Sequence, residues 1–378
     1  MLRFFALVLL LHSYVGWRLL PDMASGVPAA ATCAWLIASV VLLPLGMFAR
    51  RSMRQPLADI ATWAGMLALG SFSSLLVLTF VRDIALLGAH ALTWAAFMSR
   101  AALGEFVQSS AAVVPAVAAL LTLVGFINAR RSARVRAVDV PIAGLPDALH
   151  GFTIAQISDV HVGPTIKRNY LEAIVDTVNG LGADMIAVTG DLVDGSVAQL
   201  ASHTAPLSRL SARHGAYFVT GNHEYYSGAG AWVEEIRRLG VRVLLNEHVV
   251  VEHGGASVMI AGVTDYSTRD FAPPHRSDPA AAMAGSPAGV AFRLLLAHQP
   301  RSAFAAAPAG FDLQVSGHTH GGQFLPWGYF VRLQQPFTAG LHRLDRLWVY
   351  TSRGTGYWGP PKRLGAPSEI THLRLVPA

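Results

Sequence analysis

The sequence predicts an α/β protein in two parts: an N-terminal α-helical transmembrane region, then a sandwich of two sheets with helices outside. Three observations carry this. The chain of 378 residues is 52% hydrophobic and only 14% charged, whereas soluble domains carry about a quarter charged residues. Its basic excess is confined to one end: eleven arginines and no lysine stand against four acids up to Arg136, while from Ala137 onward 18 basic residues meet 19 acidic ones. Downstream of Phe152, strand-like runs alternate with helical patterns, and five of them deliver clusters of Gly, Asp, Asn or His. Strand ends are where α/β folds place their sites.

The N-terminal part contains four apolar runs. Phe4–Leu20, Val27–Met47, Ile60–Val81 and Ser109–Ile127 each approach the roughly 20 residues that a lipid-spanning helix needs. A cleaved signal peptide competes for the first run, but further spans follow and Ala24-Ser25-Gly26 is a poor cleavage site. Ile84–Met98 is apolar but short, contains His90, and is fenced by Arg82-Asp83 and Arg100. It reads as an interfacial or re-entrant segment. Arg3, the cluster Arg50, Arg51 and Arg54, and the cluster Arg130, Arg131, Arg134 and Arg136 fall on one side with four spans and on opposite sides with five. The positive-inside rule makes that side cytoplasmic. The expectation is an inner-membrane, multi-pass protein with a transmembrane region at 1–130 and a cytoplasmic catalytic domain at 131–378. Without a basic globular half, no nucleic-acid partner is expected. The single cysteine, Cys33, excludes an intrachain disulfide and a multi-Cys zinc site.

Beyond the basic neck, Val135–Ile142 alternates like a strand. Phe152–Ser158 delivers Asp159-Val160-His161, and a helical pattern spans Arg168 to Leu181. Ala183–Thr189 delivers Gly190-Asp191, with Asp194 nearby, and Val197–Ser211 is helical. Gly215–Thr220 delivers Gly221-Asn222-His223-Glu224. Ala231–Gly240 reads as a helix with Trp232, Ile236 and Leu239 inward. Val241–Leu245, Val249–Glu252 and Ser257–Ala261 are short strands. Asp265–Gly289 is rich in Pro, Ala and Ser without a period, so a long loop is expected. Arg293–Ala297 delivers His298, and Phe311–Ser316 delivers Gly317-His318-Thr319-His320-Gly321-Gly322-Gln323. Leu347–Thr351 and Glu369–Leu375 are late strands.

Two histidines one residue apart among glycines are poor core material. Asp, His and Asn without thiolate suit Mn, Fe, Zn or Co. Five stretches offer more donors than one ion takes. Two ions about 3.5–4 Å apart, sharing a carboxylate, would use them all and would clamp a phosphoryl oxygen.

The ordered set Asp159-x-His161, Gly190-Asp191, Gly221-Asn222-His223-Glu224, His298 and Gly317-His318-x-His320 resembles the calcineurin-like metallophosphoesterase family, from about Phe152 to the C-terminus. The tail Ser352–Pro361, with Arg363 and Ser368-Glu369-Ile370, resembles the membrane-anchored bacterial branch. The resemblance implies a four-layer αββα sandwich. It implies that Asp159, His161 and His320 hold one divalent ion, that Asn222, His298 and His318 hold a second, and that Asp191 bridges them. Mn is the first expectation, with Fe or Zn as alternatives. His223 would stand beside the leaving group, with Glu224 orienting it.

The bland alternatives stand beside these. Asp194 reads as a turn or cap residue, at most a support for the ligands. Arg363 is taken as a phosphate contact, with pairing to Glu369 equally open. Tyr357 and Trp358 form either a packed turn or an apolar rim, and Thr319 and Gln323 shape a loop. The remaining histidines of the globular part read as ordinary polar residues. The expected activity is metal-dependent hydrolysis of phosphate esters or pyrophosphates by a hydroxide shared between two ions, with a membrane lipid-linked substrate as the sharper form. A soluble cytoplasmic substrate, or a non-enzymatic membrane sensor, are the alternatives.

Overall fold

The computed structural model describes Leu2–Ala378, the side chains of Arg51, Arg269, Phe271 and Pro273 excepted. Arg51, counted above in the second arginine cluster, therefore lies outside the described side chains. The chain forms two compact units. One holds the chain up to Asn128 together with Gly359–Lys362; the other holds Ala129–Trp358 and Arg363–Ala378.

The first unit contains α1 (Leu2–Leu19), α2 (Val27–Ser52), α3 (Leu57–Trp94) and α4 (Arg100–Arg130) up to Asn128. All four helices are long and apolar enough to cross a membrane. Their shared core includes Val15, Leu19, Leu36, Phe72, Leu75, Ala111 and Val114. α2 and α3 meet at Gly46 and Gly65, where a Cβ on Gly46 would lie 2.6 Å from the Gly65 Cα. Small residues at such a crossing let apolar helices approach backbone to backbone.

One expectation fails here. Ile84–Met98 is not a separate interfacial segment, because α3 runs unbroken through it to Trp94. Its 38 residues make it about 57 Å long. The polar pair Arg82-Asp83 does not end the helix because both side chains find partners within the unit. Arg82 is 3% exposed. It donates to Asp22 Oδ2 at 2.6 Å, to the Arg18 carbonyl at 2.8 Å and to Ser110 Oγ at 2.9 Å. Asp83 accepts from Tyr14 at 2.7 Å and pairs with Arg18 at 2.8 Å. Gly359–Lys362 packs in this same unit. Buried Lys362 donates its Nζ to the Gly70 carbonyl at 2.9 Å and also to Ser74 Oγ.

The second unit begins with β1 (Arg134–Ile142), β2 (Thr153–Ile157), α5 (Arg168–Gly180), β3 (Met185–Val188), α6 (Val197–Thr204) and β4 (Ala216–Phe218). It continues with α7 (Asn222–Ser227), α8 (Ala229–Arg238), β5 (Arg242–Val243), β6 (Glu247–His253) and β7 (Ala256–Gly262). Then come α9 (Thr268–Phe271), α10 (Pro279–Met283), β8 (Phe292–Leu296), α11 (Ala303–Ala309) and β9 (Leu313–Ser316). Last are α12 (Gly328–Val331), β10 (Gly340–Leu344), β11 (Leu347–Thr351) and β12 (Glu369–Pro377).

The strands form two six-stranded sheets, ordered β1-β12-β2-β3-β4-β5 and β10-β11-β9-β8-β7-β6. β2 to β5 are mutually parallel, as are β7, β8, β9 and β11. Three apolar layers hold the stack. Ile157, Val175, Trp232 and Ile236 join helices to the first sheet. Ile154, Met185, Leu294 and Val315 fill the space between sheets. Met259, Leu295, Ala303 and Ala306 join the second sheet to its helices. This is the αββα sandwich.

Asp265–Gly289 differs from the expected loop. It contains α9 and α10 and a 3₁₀ turn at Pro273–His275. Asp278 caps α10 through the Ala281 N–H at 2.9 Å, and Ala282 is buried against β7 and β8 residues. Helices of four or five residues leave no sequence period to detect.

Arg82→Leu is expected to lower the melting temperature in detergent, because the Arg18 carbonyl, Ser110 and half-buried Asp22 lose the donor that joins them. Thermal melts of the purified full chain test this. An unchanged melting temperature would remove Arg82 as an anchor of the helices.

Candidate metal site

The parallel strands of both sheets end in the predicted cluster. Asp159 and His161 follow β2, and Asp191 follows β3. Asn222 and His223 open α7 after β4. His298 follows β8, and His318 and His320 follow β9. Asp159, His161, Asp191, His318 and His320 all have left-handed backbone, with φ of 53°, 55°, 51°, 69° and 51°. Such φ is uncommon away from glycine and costs energy at each residue. It turns the chain sharply off the strand and points successive side chains at one place. Two glycines make room for this. A Cβ on Gly317 would lie 2.0 Å from Ser158 Oγ and 2.1 Å from Asp159 Oδ2, and one on Gly221 would lie 2.2 Å from Asp191 Oδ1.

Six of the seven expected ligand residues bring their donor atoms together. His161 Nε2 lies 3.1 Å from His320 Nε2, and His320 Nε2 lies 3.4 Å from Asp159 Oδ1. His298 Nε2 lies 3.1 Å from Asp191 Oδ2 and 3.2 Å from His318 Nδ1. Asp191 Oδ2 is also 4.0 Å from both His161 Nε2 and His223 Nε2. Donor atoms of Asp159, His161 and His320 lie within 4.8 Å of one another, and so do those of Asp191, His298 and His318. Asn222 is buried, its Oδ1 accepts no hydrogen bond among the described residues, and the next residue, His223, donates its backbone N–H to Asp191. Buried polar atoms in folded proteins are almost always paired, so an orphaned amide oxygen in this loop fits a divalent ion. The donor set is all nitrogen and oxygen, which suits such an ion.

Asp194 and Glu224 exchange the roles expected of them. Glu224 does not orient His223. It is fully buried and its carboxylate accepts the backbone N–H groups of Gly221 at 2.6 Å, Leu192 at 2.8 Å and Asp191 at 3.0 Å. It ties the β3 loop to the β4 loop. Asp194 is the orienting group: its Oδ1 lies 2.5 Å from His223 Nδ1 and 3.2 Å from His161 Nδ1. Only the Gly-Asp-x-x-Asp spacing hinted at this. A carboxylate on Nδ1 sets the tautomer and leaves Nε2 facing the cluster. For His298 the Thr189 carbonyl, 2.8 Å from Nδ1, does the same.

Arg363 is not placed to bind substrate. It is 1% exposed. Its guanidinium donates to the carbonyls of Gly356, His320, Arg353 and Ala366 and to His320 Nδ1 at 3.1 Å. All its donors are turned into the protein, where it holds His320 from behind. Nor does it pair with Glu369, whose partner is Arg353 at 3.0 Å. Tyr357 is buried, with its hydroxyl on the Thr165 carbonyl at 3.2 Å. Trp358 is more than half exposed, and its ring stands 5.8 Å from that of His223. Exposed Tyr226, not singled out in the sequence, lies 5.4 Å from His223 on another side.

The field of the site is mixed. Burial pushes the Asp191 carboxyl up, but His298, His223 and His161 outweigh it and hold it well below the carboxylate range. Burial pulls His223 down, yet Asp191 and the Asp194 hydrogen bond outweigh it and raise it to about 9. Burial and the neighbouring His298 lower His318 to about 3.

The family model for calcineurin-like phosphoesterases matches residues 152–322, the stretch that carries this geometry. A metallophosphoesterase of Aquifex aeolicus is 32% identical over 224 residues, which cover 59% of this chain and 84% of the relative. The chain belongs to the calcineurin-like phosphoesterase family. A "transmembrane protein with metallophosphoesterase domain" of Danio rerio is 37% identical over 73% of this chain and 64% of its own length. A Campylobacter jejuni metallophosphoesterase is 34% identical over 66% of this chain, and again 64% of its own length. The chain thus matches somewhat less than two thirds of these two relatives. Family membership and the apolar helices together make this a membrane-associated metallophosphoesterase-family protein.

Asp194→Asn should lower metal content or turnover about 10–100-fold with the fold intact, as loss of an outer carboxylate does. Metal analysis and circular dichroism check it, and wild-type metal content and turnover would end the orienting role. Arg363→Met should lower the melting temperature and metal retention, not raise KM alone. A selective KM effect with wild-type stability would restore the substrate contact.

Proposed function

We propose that this chain is a membrane-anchored, metal-dependent hydrolase of phosphate esters or diphosphates, and that its substrate is lipid-linked. The arrangement around Asp191 carries the reading. Its Oδ2 groups with His298 and His318 and stands 4.0 Å from His161 of the other donor group, with His223 held nearby by Asp194.

Asp159, His161 and His320 would hold one divalent ion; Asn222, His298 and His318 would hold the other, with Asp191 between. Mn is our first choice, with Fe or Zn as alternatives. When bound, such ions neutralise phosphoryl charge and make water acidic enough to attack near neutral pH. The chain's own residues do the rest. Asp194 fixes His223 with Nε2 toward the cluster, where it can give a proton to the departing oxygen or stabilise its charge. Asp191 also accepts the His223 backbone N–H at 2.9 Å, so the carboxylate and the acid keep one spacing. Buried Glu224, held by the backbone N–H groups of Asp191, Leu192, Val193 and Gly221, fixes both loops.

The four apolar helices motivate the lipid-linked substrate, since a soluble one needs no anchor. The one-sided arginine clusters support our reading of a cytoplasmic catalytic domain, 131–378, below an inner membrane spanned by 1–130.

The test is product release by detergent-purified full chain from a nucleotide-diphospho-acylated sugar and from a soluble aryl phosphodiester. Chelation should abolish turnover and Mn²⁺ should restore it. His223→Ala should cost about 10²–10⁴-fold, the usual worth of a positioned acid, and Asp191→Ala should leave no measurable activity. Turnover of the soluble ester alone would make the helices a mere anchor. No turnover of either with metal bound would favour a sensor.

A further inference from the structure

The segment Gln323–Gln335 buries the amides at its two ends and exposes most of its large apolar side chains. Gln323 and Gln335 are buried, at 7% and 3% exposure, while Leu325, Tyr329, Phe330 and Leu333 stand 53%, 75%, 54% and 85% exposed. Trp327 is 40% exposed and packs against Phe330. The segment is not a loose loop. Gln323 bonds the Trp358 backbone twice, through its Nε2 at 2.9 Å and its Oε1 at 2.8 Å. Gln335 Nε2 donates to Gln299 Oε1 at 3.0 Å, and Leu325 N–H to the Leu364 carbonyl at 3.0 Å. Between these anchors, α12 lies on the ligand loop itself: a Cβ on Gly322 would sit 2.1 Å from the Gly328 Cα. A firmly tied segment that buries amides and exposes aromatics is built for surroundings less polar than water.

We propose that Leu325, Trp327, Tyr329, Phe330 and Leu333 form a membrane-contacting surface that dips into the boundary between headgroups and acyl chains. Three features select a bilayer over a protein partner. The chain itself supplies one, because α4 ends at Arg130 and β1 begins at Arg134. The three-residue link reaches at most about 11 Å. Trp and Tyr beside Leu and Phe is the composition of membrane interfaces, where an apolar ring body needs one wet end. Charge agrees, since no acidic residue occurs between Asp312 and Asp345 while Arg332 and Arg343 do, as anionic headgroups require. α12 is seated on Gly321–Gly322, directly after His320 in the chain, so this surface adjoins the donor cluster. A phosphate in the headgroup plane would reach it without leaving the membrane.

The inference rests on the membrane reading, and its test reads position, not turnover, so it can fail separately from the proposed activity. Cys33 is the only cysteine. Full-length Cys33→Ser protein carrying Tyr329→Cys, Leu333→Cys or, as control, Glu252→Cys on β6 is labelled with an environment-sensitive fluorophore. It is then reconstituted in vesicles containing anionic lipid. Labels at 329 and 333 should be quenched at least threefold more by lipid-borne nitroxide than at 252, and at least threefold less by aqueous iodide. Iodide access equal to that at 252 would overturn the proposal. Protection from both quenchers would also overturn it, by showing that a second copy or another protein covers the surface.

Discussion

Everything in the globular unit answers to one problem: keeping Asp191 ionised and central where water is excluded. A buried carboxylate is expensive unless opposite charge or donors surround it. Here one oxygen takes the His223 backbone N–H and the other faces His298, with His161 and His223 further out. The imidazoles around it supply that charge only in part, because all of them protonated would repel one another, as the lowering of His318 beside His298 shows. Orphaned Asn222 Oδ1 makes the same demand.

That demand explains the strain. Five of the seven donor residues sit in left-handed backbone, at a cost that regular strands avoid. The two sheets absorb it. Their interlayer core of Ile154, Leu294, Val315 and neighbours fixes the strand ends, and the loops have nowhere else to go. Glu224 and Arg363 lie buried behind the loops. Glu224 collects backbone N–H groups and Arg363 collects backbone carbonyls. One carboxyl and one guanidinium thus fix the loops of the cluster from within.

The helical unit solves a related problem. Arg82 and Asp83 sit mid-helix in α3, where apolar surroundings would penalise them. Each is satisfied by a partner from α1 or the turn after it. The polar pair therefore ties helices together and does not end the helix.

Much of the site was legible in the sequence because its residues are constrained locally. Strand, glycine and donor follow one another in each block, so the order of Asp159, His161, Asp191, Asn222, His298, His318 and His320 pointed to one cluster. The sheet cores were legible too, through apolar runs of strand length, and so was the inward face of α8. What stayed hidden was decided between segments far apart in the chain. Whether Asp194 or Glu224 orients His223, and whether Arg363 faces a ligand or the carbonyls of Gly356, His320, Arg353 and Ala366, depends on which loops meet. No spacing encodes that. The helical content of 265–289, the passage of α3 through Arg82 and the outward aromatics of 325–333 were hidden for the same reason. Periodicity reports which face of an element is buried. Only the packed structure reports what a short or irregular segment finds beside it, because there the partner and not the pattern sets the free energy.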